Sequence, residues 1–295
     1  EGEATTTSEP ADASTGHLQS QQHGQGVTAS SSQATIVDDS NIIYVWSNNV
    51  DDAFREIREI VRTHPYVAMD TEFPGVVARP YGTFRSHTDY QYQALKCNVD
   101  VLRIIQLGLT FSDEEGNLHP KSTWQFHFQF DLKTDVFAQD SIDLLQKAGV
   151  DFEKHEKDGI NVEYFGALMM VSGLTLTDEV RWLSFHSYYD FGYLVKVLTN
   201  SCLPEKESDF FSVLMDYFPC FFDIKYILKS CEPLKGGLSK IAQALEVERV
   251  GLAHQAGSDS LVTALAFFKM SRIYFDGELD PVKYAGVLFG LGGRD

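Results

Sequence analysis

Five side chains in this sequence have types and spacings suited to handling divalent cations and a proton. Asp70 and Glu72 stand two apart in Val67-Ala68-Met69-Asp70-Thr71-Glu72-Phe73. Alternate side chains of an extended strand share a face, so both carboxylates project the same way. Neighbouring like charges raise each other's pKa unless a cation lies between them. Taken alone, the pair fits either a metal site or a solvated edge strand with two acids. Asp190 follows in Ser187-Tyr188-Tyr189-Asp190-Phe191, an acid among aromatic residues. A helix start there would also account for it, because backbone N–H groups favour a negative charge. His254-Gln255-Ala256-Gly257-Ser258-Asp259 completes the set. Ser258 reads as a helix cap, Asp259 as an acid of the first turn and His254 as a loop residue. A capped helix beside an unrelated histidine is the alternative. Together the hard oxygen ligands, with no cysteine nearby, suit Mg²⁺ or Mn²⁺ rather than zinc. Two such ions about 4 Å apart clamp a phosphodiester. A histidine beside them can exchange protons with water.

A fold that mixes strands and helices has to bring these residues together. Phe54, Ile57, Ile60 and Val61 predict an amphipathic helix that Asn49 can cap and His64-Pro65 ends. Residues 66–72 read as a strand, and 88–97 as a helix. Residues 103–111 and 123–130 predict a hairpin about a turn at 113–117. In its second arm Trp124, Phe126, Phe128 and Phe130 alternate with Gln125, His127 and Gln129, the period of a strand with one buried face. Helices are expected near 140–148, 161–172, 190–199, 207–217 and 237–246, with extended pieces at 181–185 and 220–224. A last long helix is expected over 258–274. This order predicts an α/β class with a mixed sheet, built as one domain over residues 41–295. Residues 1–40 are rich in Ser, Thr, Gln, Gly and Ala, and are expected to form a disordered low-complexity tail.

Composition narrows the function. The formal charge is −18, and residues 1–40 hold six acids and no Lys or Arg. The remainder sets 24 Lys and Arg against 36 Asp and Glu. Such an acidic body disfavours loose, salt-driven binding to phosphate backbones. A nucleic-acid enzyme with this charge must hold its substrate by bound cations, a local basic groove or base stacking. No apolar run is long enough to span a bilayer and the N-terminal residues do not resemble a signal peptide, so a soluble, intracellular protein is expected. Cys97, Cys202, Cys220 and Cys231 form no C-x-x-C pair and are expected to be buried free thiols.

Longer blocks of sequence carry a resemblance. The segment beginning Met69-Asp70-Thr71-Glu72-Phe73-Pro74-Gly75 and running to Pro80 resembles the first motif of the CCR-associated factor (Caf/Pop) deadenylases. Residues 183–200 resemble the same family. So does the stretch from Leu234-Lys235-Gly236-Gly237-Leu238 to Lys269-Met270, with Gly290-Leu291-Gly292 beyond it. The likeness spans residues 41–293. Asp-x-Glu, a distant Asp and His-x₄-Asp are also in the order of the DEDD exonucleases of the histidine subclass. The resemblance implies an RNase H-like mixed central sheet flanked by helices, and two divalent cations, Mg²⁺ or Mn²⁺. It implies 3′-to-5′ release of AMP from poly(A) RNA, as the nuclease subunit of the Ccr–Not complex. Asp70, Glu72, Asp190 and Asp259 correspond by motif to metal ligands, and His254 to the residue that transfers a proton. Implied partners are poly(A) RNA, the large Not scaffold subunit and a second deadenylase of the endonuclease/exonuclease/phosphatase class. The expected compartment is the cytoplasm, with the nucleus as a second one. One position departs from the pattern: Tyr188 stands where the family carries glycine, and its ring alters the groove or the helix start without removing a ligand.

Substrate contacts follow less directly. Single-stranded RNA is commonly held on aromatic rings, which makes Phe73 a candidate base or sugar contact and a core phenylalanine its alternative. His186 is a candidate groove residue or a strand-end histidine. Lys235, before Gly236-Gly237, is a candidate anion contact or part of a plain helix start. Two other functions share these residues: a DEDD exonuclease acting on DNA, since carboxylates read phosphate rather than sugar, and a non-catalytic adaptor of an mRNA-decay complex.

Overall fold

The strand that bears Asp70 and Glu72 lies inside a single six-stranded sheet, paired on both sides. The computed structural model describes residues 42–292. The tail expected over residues 1–40 lies outside the described residues. In chain order the elements are β1 (Ile42–Val45), α1 (Val50–Ile60), β2 (Tyr66–Glu72), α2 (His87–Val101), β3 (Gln106–Ser112) and β4 (Leu118–His127). Then come α3 (Gln139–Lys147), α4 (Phe152–Asp158), α5 (Val162–Met170), β5 (Arg181–Ser184), α6 (Tyr188–Thr199) and α7 (Glu207–Tyr217). The last are β6 (Phe221–Asp223), α8 (Ile224–Ile227), α9 (Leu238–Ala244), α10 (Ala256–Tyr274) and α11 (Pro281–Tyr284).

The sheet order is β1-β4-β3-β2-β5-β6. Strands β2, β3 and β4 are antiparallel neighbours, while β1 joins β4, β5 joins β2 and β6 joins β5, each in parallel. The expected mixed α/β sheet flanked by helices is therefore present. Val67 and Met69 of β2 share a face with Leu107, Leu109, Phe111, Trp124 and Phe126, all buried against α1, α5 and α6. A second core lies around Ala68, Leu183 and Phe222, covered by Ala264, Phe267 and Phe268 of α10.

Most elements fall where periodicity puts them, with several differences. Strand β1 and helices α4, α8 and α11 are additions, and the second hairpin arm runs Leu118–His127 rather than 123–130. Asn49 precedes α1, but its side chain accepts from Trp46 N at 2.7 Å and does not cap the helix. The polar face of β4 is not solvated: Thr123, Gln125 and His127 are buried, because the start of α10 and the residues around Trp46 cover them. Of the four thiols only Cys231 is buried; Cys202 is exposed and the other two are half-buried. Among the described residues no helix is long and apolar enough to cross a membrane.

Candidate metal centre

Asp70 and Glu72 occupy the end of β2, on the same face, as strand alternation requires. Asp70 stands opposite Gly108 of β3. That glycine is required by what lies above it. A Cβ on residue 108 would sit 1.9 Å from the carbonyl oxygen of Ala256, so only glycine lets the first turn of α10 rest on the sheet beside the acids. Thr71 points to the opposite face and meets α6. Its backbone N–H and Oγ1 both donate to Asp190 Oδ1, at 2.9 and 2.7 Å. Asp190 is thus buried in the first turn of α6 and pinned to the strand of the first two acids, 119 positions away.

Helix α10 begins at Ala256, two residues earlier than the sequence suggests, and Ser258 is not its cap. The Ser258 hydroxyl donates to Val250 O and accepts from Arg249 instead. The free N–H groups of the helix start are met from the sheet: Gln106 Oε1 accepts from Ala256 N at 3.2 Å, and Gln125 Oε1 from Gly257 N at 2.8 Å. Both glutamines also donate to Gln255 Oε1. This clamp holds the turn before α10, where His254 adopts a left-handed backbone (φ 64°) and donates its N–H to Asp259 Oδ2 at 2.8 Å. A non-glycine residue in that region is strained and persists where its surroundings fix it.

Asp70, Glu72, His254 and Asp259 consequently line one cleft of about 530 Å³, closed on its other side by Gly237, Leu238, Ser239 and Lys240. Ligand atoms of Glu72, His254 and Asp259 lie within 4.8 Å of one another. Asp190 stands behind Thr71 and reaches the other acids through their mutual repulsion. Burial, then the charges of Asp259, Asp190 and Glu72, drive the Asp70 carboxyl well above the carboxylate range. Burial and the same two aspartates push Glu72 up to about 8. Burial raises Asp190 to about 6, against the stabilising hydrogen bonds from Thr71. The chemistry of this donor set is that of a cation site: oxygen ligands crowded at a spacing that is unfavourable without positive charge between them. Part of that charge comes from Arg249, whose guanidinium sits 2.7 Å from Asp259 Oδ1. Nothing local in the sequence marks Arg249 as a site residue.

Phe73, next to Glu72, is half-buried and lies against the rings of Tyr189 (5.2 Å) and Tyr193 (5.1 Å). His186 is exposed, again in a left-handed turn (φ 58°), one residue before the N-cap of α6. Helix α6 starts at Tyr188 itself. Lys235 is exposed and does not line the cleft, whereas Lys240 does. A second residue that spacing alone does not reveal is Asp223, fully buried at the end of β6. It accepts from the backbone N–H groups of His186 (2.8 Å), Lys225 (2.9 Å), Phe289 (2.9 Å) and Ser187 (3.4 Å).

Residues 45–166 and 174–267 match the model of the CAF1 family ribonucleases, and the chain belongs to that family. It is 51% identical over 263 residues to a probable CCR4-associated factor 1 homolog of Arabidopsis thaliana, covering 86% of this chain and 95% of the relative. It is 48% identical over 268 residues to the poly(A) ribonuclease pop2 of Schizosaccharomyces pombe, covering 90% and 78%. The solved Mg²⁺- and Mn²⁺-bound form of Schizosaccharomyces pombe Pop2p superposes with a TM-score of 0.83 at 49% identity, over 85% of this chain and 100% of that one. The CAF1 chain crystallised with the yeast NOT1 MIF4G domain gives 0.70 at 35%, over 84% and 96%.

Proposed function

We propose that this chain is a 3′-to-5′ exoribonuclease that releases AMP from the poly(A) tails of messenger RNA. Its ligands for two divalent cations, Mg²⁺ or Mn²⁺, are Asp70, Glu72, Asp190 and Asp259. The observation that carries this reading is the convergence of Asp70, Glu72, His254 and Asp259 on one cleft, with Asp190 locked behind them. When bound, the cations neutralise the scissile phosphate, lower the pKa of the attacking water and stabilise the leaving oxygen. The chain's own groups orient and move protons. His254 is exposed at the mouth of the cleft, where its ring takes a proton from water. Thr71 fixes Asp190, and Arg249 balances Asp259. Phe73 and His186 contact the terminal nucleotides, and Lys235 and Lys240 supply positive charge from the segment bordering the cleft. The poly(A) ribonuclease named among the relatives supports adenosine tails as substrate over DNA. The NOT1–CAF1 complex supports the large Not scaffold as a partner. A second deadenylase of the endonuclease/exonuclease/phosphatase class and a cytoplasmic place of action, with the nucleus second, belong to the same proposal.

The test is trimming of a 5′-labelled oligo(A), compared with oligo(U) and oligo(dA). Stepwise shortening of oligo(A), lost in EDTA and restored by Mn²⁺, is expected. Asp70→Asn lowers the rate roughly a thousandfold, about 4 kcal/mol of barrier. An intact oligo(A) at every metal concentration, with folded protein, overturns the reading.

A further inference from the structure

Phe73 and His186, taken above as nucleotide contacts, belong to a longer line of aromatic rings that begins beside the carboxylates. Phe73 lies nearly parallel to Tyr189, with centroids 5.2 Å apart and planes at 20°. Tyr189 meets Tyr188 at 5.0 Å and 39°. Tyr188 meets His186 at 5.3 Å and 69°, and His186 meets Phe289 at 5.2 Å and 83°. Tyr188 is the link in the middle, since it alone touches both Tyr189 and His186 among these rings. Phe73, Tyr188 and Tyr189 press on the core yet remain only partly buried, and His186 is exposed.

The far end is positively charged. Lys225 and Lys229 place their ammonium groups 5.8 and 5.3 Å from the centre of the Phe289 ring. Lys225 also donates to Gly236 O, and the residues after Gly236 form the second wall of the carboxylate cleft. The line thus starts at Phe73, next to Glu72, and its far end is tied through Gly236 to the segment that forms the second wall of that cleft. It is also rigidly built: the buried Asp223 carboxylate accepts from His186 N and Phe289 N together, tying two ring-bearing segments 103 positions apart to one anchor.

Single-stranded nucleic acid is held by this combination, aromatic platforms for bases and local cations for the backbone. It is also the arrangement that the acidic composition demands, because a formal charge of −18 leaves little general attraction for phosphate. We propose that Phe73, Tyr189, Tyr188, His186 and Phe289 form a track for the nucleotides upstream of the scissile bond. Their rings take bases, and the Lys225 side chain adds positive charge at the far end. The proposal rests on the ribonuclease reading, which puts a 3′ end at the carboxylates and so requires a path for the chain behind it. Stacking tolerates any base, so the track supplies affinity for length more than choice of sequence.

Two measurements separate the track from the reading beneath it. Binding of fluorescein-labelled oligo(A) of about 20 nucleotides and of three nucleotides is followed by anisotropy in EDTA, and trimming of both is followed with Mn²⁺. Phe289→Ala and Tyr188→Gly are expected to shrink the advantage of the long oligomer over the short one, in Kd and in KM, by roughly fivefold or more. Phe289→Tyr and Tyr188→Phe, which keep a ring, restore it. If wild-type protein trims RNA but the length advantage survives both ring deletions, the track is wrong and the nuclease reading stands. If it trims nothing but loses length-dependent binding in the ring variants, the track stands and the nuclease reading fails. Absence of trimming and of length-dependent binding overturns both.

Discussion

The two faces of the central sheet are built on different rules. On one, Val67, Met69, Leu107, Leu109, Phe111, Trp124 and Phe126 meet Phe54, Ile57, Phe165 and Phe191 in a continuous apolar layer. On the other, Gly108, Thr110, Thr123 and Gln125 meet the start of α10 through hydrogen bonds and close backbone approach, and His127 stacks on Trp46. Thr110 Oγ1, for instance, is 2.9 Å from Ser260 Oγ and 3.1 Å from Thr123 Oγ1. The first face buries area, which stabilises the fold without direction. The second fixes angles and distances, and it is the one bearing Asp70 and Glu72. Positioning is thus concentrated on one side of β2, β3 and β4, beside a smaller apolar core around Ala68, while the larger apolar layer lies on the other.

That division is open to test. Phe126→Ala should give the largest effect, lowering stability in urea by about 3–5 kcal/mol. The folded fraction should keep nearly the whole of its rate on oligo(A). A rate loss as large as the stability loss would erase the distinction. Gly108→Ala is the converse. Its added methyl group meets Ala256 O and displaces α10. About 1–3 kcal/mol of stability is expected to go. The displaced cleft should cost roughly ten- to a hundredfold in kcat.

A further effect is one of pH. Burial, then His155 and Lys154, hold the His127 imidazole down at about 2, far below its unfolded value of 6.5. A histidine with a lowered folded pKa contributes stability above the unfolded value, and that contribution drains away as pH falls from 6.5 toward 2. His127→Gln should flatten the fall of the urea midpoint between pH 6.5 and 4. An unchanged slope would mean that this imidazole is not held neutral on the polar face.

Legibility in the sequence follows the same division. The apolar face was readable because periodicity reports burial: β2 spans 66–72 as expected, and α1 and α7 lie where their spacing puts them. The four acids and His254 were readable as types in a fixed order, and the structure brings Asp70, Glu72, His254 and Asp259 to one cleft. The polar face was not readable. Gln125 and His127 look solvated beside Trp124 and Phe126; α10, more than 120 positions later, covers Gln125, and Trp46 and His155 cover His127. Asp223 acts through His186 and Phe289, far off in sequence, and Arg249 reaches Asp259 across a loop with no periodic spacing, so no local pattern exposes either. Strand β1 is four residues long with a single parallel partner, and α4 is mostly charged with only Phe152 and His155 buried, too little pattern for either to register.

Strands β2 and β3 are matched residue for residue along seven pairs, from Tyr66 with Ser112 to Glu72 with Gln106. A slip of one place would reverse every side chain of β2. Asp70 and Glu72 would then be driven into the layer of leucine and phenylalanine, where an unpaired carboxylate has no compensation. Val67 and Met69 would be stranded among threonine and glutamine. The two carboxylates therefore also forbid the misaligned sheet, and neutral replacements such as Asp70→Leu with Glu72→Leu would relax that prohibition as well as remove the proposed cation ligands.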